Sequence, residues 1–257
     1  MEPRIHPKKG VKTILKADLH IHSNINSRLP YFPLFYDSVQ SVEQILLRAI
    51  SLSIQIISIT DHDSMAGYYK AQNIIAKKNL HILLLPGCEI SSRDGHILAY
   101  NIRREIQKGM SAQETIDAIH AQEGIAVAAH PFNFNSLGTK IFHLPFDGLE
   151  GFNSTTTIRA MLKVYYASKS LKIPNLAGSD AHQIQEIGRS LMLFPESVHS
   201  VEDLIKSIKS ADFKVDFTRT NILTVVYRHI IQNTRFFYEK NIALTKAQNR
   251  SLSSSHE

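Results

Sequence analysis

Seven short apolar runs alternate with amphipathic helical stretches between residues 13 and 179, and a chain patterned this way folds with strands inside and helices outside. The runs are "TILKADLHI", "IQIISIT", "LHILLLP", "GHILAYNI", "GIAVAAH", "FDGLEGFN" and "IPNLAGS". Between them, "SVEQILLRAIS" carries Ser41 with Gln44 three residues on, and "SAQETIDAIHAQEG" carries Ser111 with Glu114 and closes on Gly124. Both pairs are capping boxes, in which a hydroxyl and a longer polar side chain satisfy the first free amides of a helix. Further helices are predicted over about 64–78 and near 156–169. Alternation of this kind predicts a largely parallel sheet, and 257 residues suffice for one such domain.

The residues at the strand ends are more informative than the strands themselves. The first run ends in His20 and His22, the second in Asp61, His62 and Asp63, and the third in Glu89. His96 opens the fourth, His130 ends the fifth, and Asp180 and His182 come directly after the seventh. In (β/α) barrels the strand C-termini converge on one face, where the chemistry sits. Residues two apart on a strand share a face, so His20 and His22 point the same way. Gathering carboxylates and imidazoles costs many kcal/mol unless something compensates them. Multivalent cations do so, by holding carboxylates ionised and imidazoles neutral. His20 and His22 are thus expected to be two arms of one metal site.

Composition narrows the alternatives. Hydrophobic residues make up 43% and charged residues 20%, a globular profile. Cys88 is the only cysteine, which excludes intrachain disulfides and thiolate-rich metal sites. No apolar run approaches membrane length, and "MEPRIHPKKG" lacks a signal-peptide core, so the cytoplasm is the expected compartment and no membrane partner is expected. Of the net charge of +6, residues 217–257 supply four, with six basic residues against Glu239 and Glu257. A basic amphipathic helix on the outside of the main domain is expected there, with a disordered serine-rich tail.

In this order "DLHIHS", "ITDHDS", "GCEIS" with "GHILAY", "AAHPF", "FDGLEGFNS" and "GSDAH" resemble the polymerase and histidinol phosphatase (PHP) domain family, over roughly residues 14–195. The resemblance implies a distorted TIM-like (β/α)7 barrel over residues 1–215 and a C-terminal helical extension over 216–257. It further implies two or three divalent ions (Mn, Fe or Zn) and phosphoesterase chemistry. The branch most resembled is that of small stand-alone proteins, which include nucleoside-bisphosphate phosphatases and RNA exonucleases. Carried over residue by residue, the metal ligands are His20, His22, His62, Glu89, His96, His130, Asp180 and His182, with Glu89 as a bridge. The branch usually has an Asp shortly after the second histidine, where this chain has Ser27 and Arg28; "YDSVQSVEQIL" puts Asp37 in the matching place beyond an insertion. Asp61 and Asp63 are expected to orient His62 or a bound water.

Such a site would lower the pKa of a shared water and generate the hydroxide that attacks phosphorus in line. A phosphate substrate also needs cations, for which Arg189, close to the last ligand pair, is the preferred candidate, and Asn133 and Asn153 could hydrogen-bond a substrate. The expected partner is a phosphorylated small molecule, nucleotide or short RNA. Two other functions fit the same residues: a metal-dependent amide hydrolase, whose barrels also begin with His-x-His, and a non-catalytic scaffold with a degenerate site.

Overall fold

A computed structural model describes residues 14–25, 37–133 and 136–220, together with the backbone of 28–29 and 32–36. In chain order its elements are β1 (Ile14–Ile21), β2 (Arg28–Leu29), β3 (Phe32–Tyr36), α1 (Val42–Ser51), β4 (Ile56–Ile59), α2 (Ala66–Lys78), β5 (Leu83–Leu84), β6 (Gly87–Ser91) and β7 (His96–Tyr100). Next come α3 (Ala112–His120), β8 (Ile125–Ala128), a 3-10 turn (Gly138–His143), β9 (Gly148–Asn153), α4 (Ile158–Leu171), β10 (Asn175–Gly178), β11 (Ser190–Pro195), α5 (Val201–Lys209) and β12 (Lys214–Phe217). The capping boxes form as the sequence requires. Ser41 accepts from the Gln44 amide while the Gln44 side chain accepts from Ser41, and Ser111 and Glu114 do the same.

The strands make two five-stranded sheets, ordered β12-β11-β1-β4-β5 and β10-β9-β8-β7-β6, with β2 and β3 as a separate pair. The sheets are mixed rather than largely parallel. β1–β4, β4–β5, β8–β9 and β9–β10 are parallel, whereas β1–β11, β11–β12, β6–β7 and β7–β8 are antiparallel. A closed seven-stranded barrel is not what the backbone forms. The two sheets approach along two seams, each stitched by one isolated bridge, Ile21 with Ala181 and His62 with Glu89. At the first seam the His22 amide donates to the Ala181 carbonyl (2.9 Å); at the second the Asp63 amide donates to the Glu89 carbonyl (2.9 Å).

Two departures from the expected strands have local causes. The third apolar run yields only the two-residue β5, and Glu89 lies on its own strand, β6, paired antiparallel with β7. "SLMLFP" forms β11, whose antiparallel partner β1 lies far away in sequence, so no helical crossover announces it.

Three apolar clusters hold these layers. One joins both sheets and includes Leu19, Ile56, Leu98, Tyr100, Val127 and Phe194. There Tyr100 Oη donates to the Leu19 carbonyl (2.8 Å), which satisfies a buried phenol. A second packs α1 and α2 on the first sheet through Ile45, Leu46, Ala71, Ile57 and Ile59. The third packs α3 and α4 on the second sheet through Ile116, Ile119, Val164, Ile97 and Leu149. Fully burying each Leu or Ile side chain contributes about 1.5–3 kcal/mol, so each seam is framed by rigid walls. The expected C-terminal helix lies, from residue 221 onward, outside the described residues, and β12 runs across the expected domain boundary to Phe217.

Candidate metal centre

The site sits where both seams meet the strand ends. β1 delivers His20 and His22 fully buried, with their Nε2 atoms 3.0 Å apart. β6 delivers Glu89 between the sheets. Its Oε2 lies 3.2 Å from His20 Nε2, 3.1 Å from His22 Nε2 and 3.6 Å from His62 Nδ1. Its Oε1 lies 3.0 Å from His96 Nδ1 and 3.2 Å from His130 Nε2. Asp180 Oδ1 stands 3.5 Å from His20 Nε2 and 3.3 Å from His22 Nε2. Asp37 reaches the opposite side, with Oδ1 3.0 Å from His182 Nε2 and Oδ2 3.6 Å from His22 Nδ1 and 3.9 Å from His62 Nε2. The structure therefore brings together all nine residues expected to hold metal. Ligand-type atoms fall within 4.8 Å of one another in three groups: His22, Asp37, His62 and His182; His20, His22 and Glu89; His62, Glu89 and His96.

Tautomers decide what this arrangement accepts. His20 Nδ1 faces Glu150 Oε1 at 2.8 Å, and a carboxylate only accepts, so Nδ1 donates. His182 Nδ1 likewise donates to the Asp180 backbone carbonyl (2.8 Å). In their neutral forms both rings then turn the bare lone pair of Nε2 toward carboxylate oxygens. That juxtaposition is repulsive unless a proton or a metal ion lies between. His22 Nδ1 and His62 Nδ1 are moreover buried without a hydrogen bond, which is costly. A set of imidazole nitrogens and carboxylate oxygens without thiolate suits Mn, Fe or Zn. The residues fit such ions.

Without metal, protons take over the compensation. Burial alone would lower the His20 pKa, but Glu150, Asp180 and Glu89 together raise it well above the usual imidazole value. Burial opposes the same rise in His22, which Asp180, Glu89 and Asp37 carry up to about 10. Glu89 would be pushed up by burial, yet His62, His96 and His20 hold it well below the carboxylate range. Asp180 and Asp37 are depressed for the same reason, against burial, by the surrounding histidines. Burial keeps His62 below its ordinary value.

Asp61 and Asp63 brace the frame rather than touching the His62 ring. Asp61 accepts from the Ser23 amide (2.5 Å) and hydroxyl (2.7 Å), and burial pushes its pKa up to about 6. Asp63, at a positive φ of 56°, accepts from the Ser91 amide (2.7 Å). His130 (φ 28°) and Asp180 (φ 54°) share that uncommon backbone region, a cost often met at functional sites. Arg189 is not brought into the cluster: its guanidinium donates to the carbonyls of Gln185 and Arg219.

Glu150 and Glu186, which the strand-end pattern passed over, and Asn153, expected to meet a substrate, complete the site as braces for its ligands. Glu150, inside β9, anchors His20 through Oε1 and accepts through Oε2 from the His130 amide (3.1 Å) and Asn153 Nδ2 (3.0 Å). Gly178 makes room for it, because a Cβ there would lie 2.4 Å from Glu150 Oε1 and 2.6 Å from His20 Cβ. Asn153 is buried and also donates to Asp180 Oδ2 (3.3 Å), so it holds a carboxylate in place. Glu186 accepts from the His182 and Gln183 amides (2.8 and 3.1 Å) and shapes the turn that presents His182. An acid between glycines in "GLEGF" was the available signal for Glu150; nothing marks Glu186 in the sequence.

Comparison with known proteins bears on the family and the fold. A family profile described as PHP-associated matches residues 159–213. An uncharacterized protein of Methanocaldococcus jannaschii is 36% identical over 143 residues, 54% of this chain and 82% of the relative. A 5'-3' exoribonuclease of Haemophilus influenzae is 28% identical over 116 residues, 44% of this chain and 38% of that enzyme. Among solved structures, a two-domain protein of Bacteroides vulgatus containing a predicted PHP-like metal-dependent phosphoesterase superposes with a TM-score of 0.66 at 17% identity, covering 80% of this chain and 66% of that one. An amidohydrolase of Chromobacterium violaceum gives 0.55 at 15% identity, covering 77% and 97%. With the PHP-associated profile and the fold shared with a PHP-like neighbour in agreement, the chain belongs to the PHP domain family.

Proposed function

We propose that the protein is a metal-dependent phosphoesterase that hydrolyses a phosphate ester of a nucleotide or an RNA end, with His20, His22, Asp37, His62, Glu89, His96, His130, Asp180 and His182 holding two or three divalent ions. The observation that carries this reading is the place of Glu89. Its two oxygens face five imidazoles drawn from both sheets, as a carboxylate bridging adjacent cations requires. Divalent ions bound there would supply Lewis acidity at the phosphoryl oxygens and acidify a water near neutral pH. The chain's own residues keep that centre rigid: Glu150 fixes the His20 tautomer, Asn153 steadies Asp180, and Asp61 and Asp63 lock the loops after β1 and β4. His62 and His96 are the more exposed ligands, with 25% and 38% of their side chains accessible, so a substrate enters from their side. The exoribonuclease relative supports an RNA or nucleotide phosphate as the substrate class.

An amide hydrolase of the related barrel type needs a bridging lysine at a central strand end. Among the described residues the lysine ion pairs, Lys78 with Glu43 and Lys140 with Asp94, lie outside the cluster, and Glu89 stands among its imidazoles. The decisive experiment supplies the purified protein with Mn and offers 3',5'-bisphosphorylated nucleosides, short 5'-phosphorylated RNAs, p-nitrophenyl phosphate and dihydroorotate-like cyclic amides. Phosphate release that a chelator abolishes and Mn restores is expected. Turnover of the amides alone, or of nothing, would overturn the assignment.

A further inference from the structure

The outward face of α4 is basic and aromatic. The helix carries Arg159, Lys163 and Lys169, ends on Lys172 and contains no acid. Its buried residues are Ala160, Val164, Ala167 and Ser168. At 100° per residue the opposite face presents Ile158, Leu162, Tyr165, Tyr166 and Lys169 in one stripe. Tyr165 and Tyr166 are 46% and 68% exposed, and the Lys169 ammonium stands 5.7 Å from the Tyr165 ring centre. Beside this stripe runs a groove of about 500 Å3, lined by Tyr165, Ser168, Lys169, Lys172 and, from α5, Lys209. Lys206 and Lys209 continue it into a neighbouring depression. Among the described residues none of these four lysines enters an ion pair, although Lys78, Lys140, Arg93 and Arg103 all do. Lysines in the last turns of α4 and α5 also offset helix carbonyls, but that role calls for no exposed tyrosines beside them.

We infer that the α4 stripe and the lysine groove bind single-stranded RNA, with bases stacked on Tyr165 and Tyr166 and phosphates held by Lys169, Lys172 and Lys209. Charge complementarity favours a polyanion, and adjacent exposed rings favour one with flat, stackable groups. Stacking platforms interleaved with cations are how single strands are held without sequence readout. Position links the stripe to the candidate centre. The start of α4 comes shortly after Thr155, whose hydroxyl is 3.3 Å from Asp180 Oδ2 and 2.7 Å from Asn153 Oδ1. From that rim the helix runs about 21 Å along the second sheet, so a strand tracked along its exposed face would have one end at the cluster. This last step rests on the phosphoesterase reading; the binding surface does not.

The test uses the full-length, Mn-loaded protein and a fluorescein-labelled phosphorothioate oligouridine, monitored by anisotropy across a salt series. The triple variant Lys169→Gln/Lys172→Gln/Lys209→Gln should bind at least tenfold more weakly, and its log K against log salt slope should be shallower by about 2. Tyr165→Ala/Tyr166→Ala should weaken binding by about thirtyfold or more with the slope unchanged. Both variants should keep the parent's circular dichroism and its turnover of p-nitrophenyl phosphate. Affinities within twofold of the parent in both variants would overturn the inference. So would a parent that binds phosphatidylserine vesicles or an acidic peptide but no oligouridine. A parent that binds RNA through these residues yet hydrolyses no phosphate ester would refute the catalytic assignment and leave the groove intact.

Discussion

Glu150→Gln isolates the contribution of a residue that would touch no metal. Glu150 takes three donors at once: His20 Nδ1 at 2.8 Å, the His130 amide at 3.1 Å and Asn153 Nδ2 at 3.0 Å. A carboxylate accepts on both oxygens, whereas an amide accepts on one and donates from the other. If the glutamine turns its oxygen toward His20, its NH2 meets the two donors of His130 and Asn153. If it turns the NH2 toward His20, Nδ1 must accept, the proton moves to Nε2, and His20 can no longer offer a lone pair to the centre. Partners that fix a ligating histidine in this way are worth about 10–100-fold in metal affinity, or about 1.4–2.7 kcal/mol. The assay is competition for Mn or Zn against a chromogenic chelator, with phosphate release in parallel. His20 supplies a second readout by NMR, because the charge on Glu150 is what chiefly offsets burial there; its pKa in the metal-free protein should fall. Affinity within threefold of the parent, with the His20 tautomer unmoved, would refute the reasoning.

Three further outcomes are expected. Gly178→Ala places a methyl 2.4 Å from Glu150 Oε1 and 2.6 Å from His20 Cβ; it should destabilise the fold by about 1–3 kcal/mol and weaken metal binding, and an unchanged melting temperature would contradict the packing described. Asp37→Asn removes the carboxylate shared by His22, His62 and His182; elemental analysis should show one metal fewer per chain, and full occupancy would remove Asp37 from the ligand set. Metal binding should release protons, because His20 and His22 are raised in the metal-free protein and must be neutral to ligate. Apparent affinity therefore climbs with pH until the His22 ring loses its proton unaided near 10, and calorimetry in buffers of different ionisation enthalpy would show no buffer dependence if this is wrong. The same shifts make the metal-free protein lose stability as pH rises from 6.5 toward 10, since folding favours the protonated rings. The depressed carboxyl of Glu89 works at the other end, its contribution fading as pH falls below 4.5.

Most residues of the cluster were legible because they stand at an end of an apolar run or shortly beyond it, where an ionisable side chain has no structural excuse. His20 and His22 declared a shared face through spacing alone. Asp37 was legible only through the family resemblance, since an insertion displaces it from the first motif. Glu150 escaped because it lies inside β9, and attention to strand ends passes over strand interiors. The helices were read well, Ser41 and Ser111 capping as their partners at the third position demanded. Sheet closure was not legible: pairing β11 with β1 depends on contacts more than 170 residues apart, from Ile14 to Pro195. The shortening of the third apolar run to β5 and the separate strand β6 after it likewise come from tertiary pairing, with the Gln55 carbonyl taking the Leu83 amide (2.8 Å) and β7 taking β6.

The seams carry a consequence for how the molecule comes apart. His20, His22 and His62 belong to the first sheet and the loop beyond it, while Glu89, His96 and His130 belong to the second, and only single bridges join the two backbones there. Any cation shared by Glu89 and the histidines at the end of β1 would work as a rivet at the seam, beside the two amide–carbonyl bonds of each bridge. Depleting the protein of ions would then loosen both seams at the site while the apolar cluster shared by the sheets still holds the halves together, and ion supply would govern how readily heat or protease opens that end of the molecule.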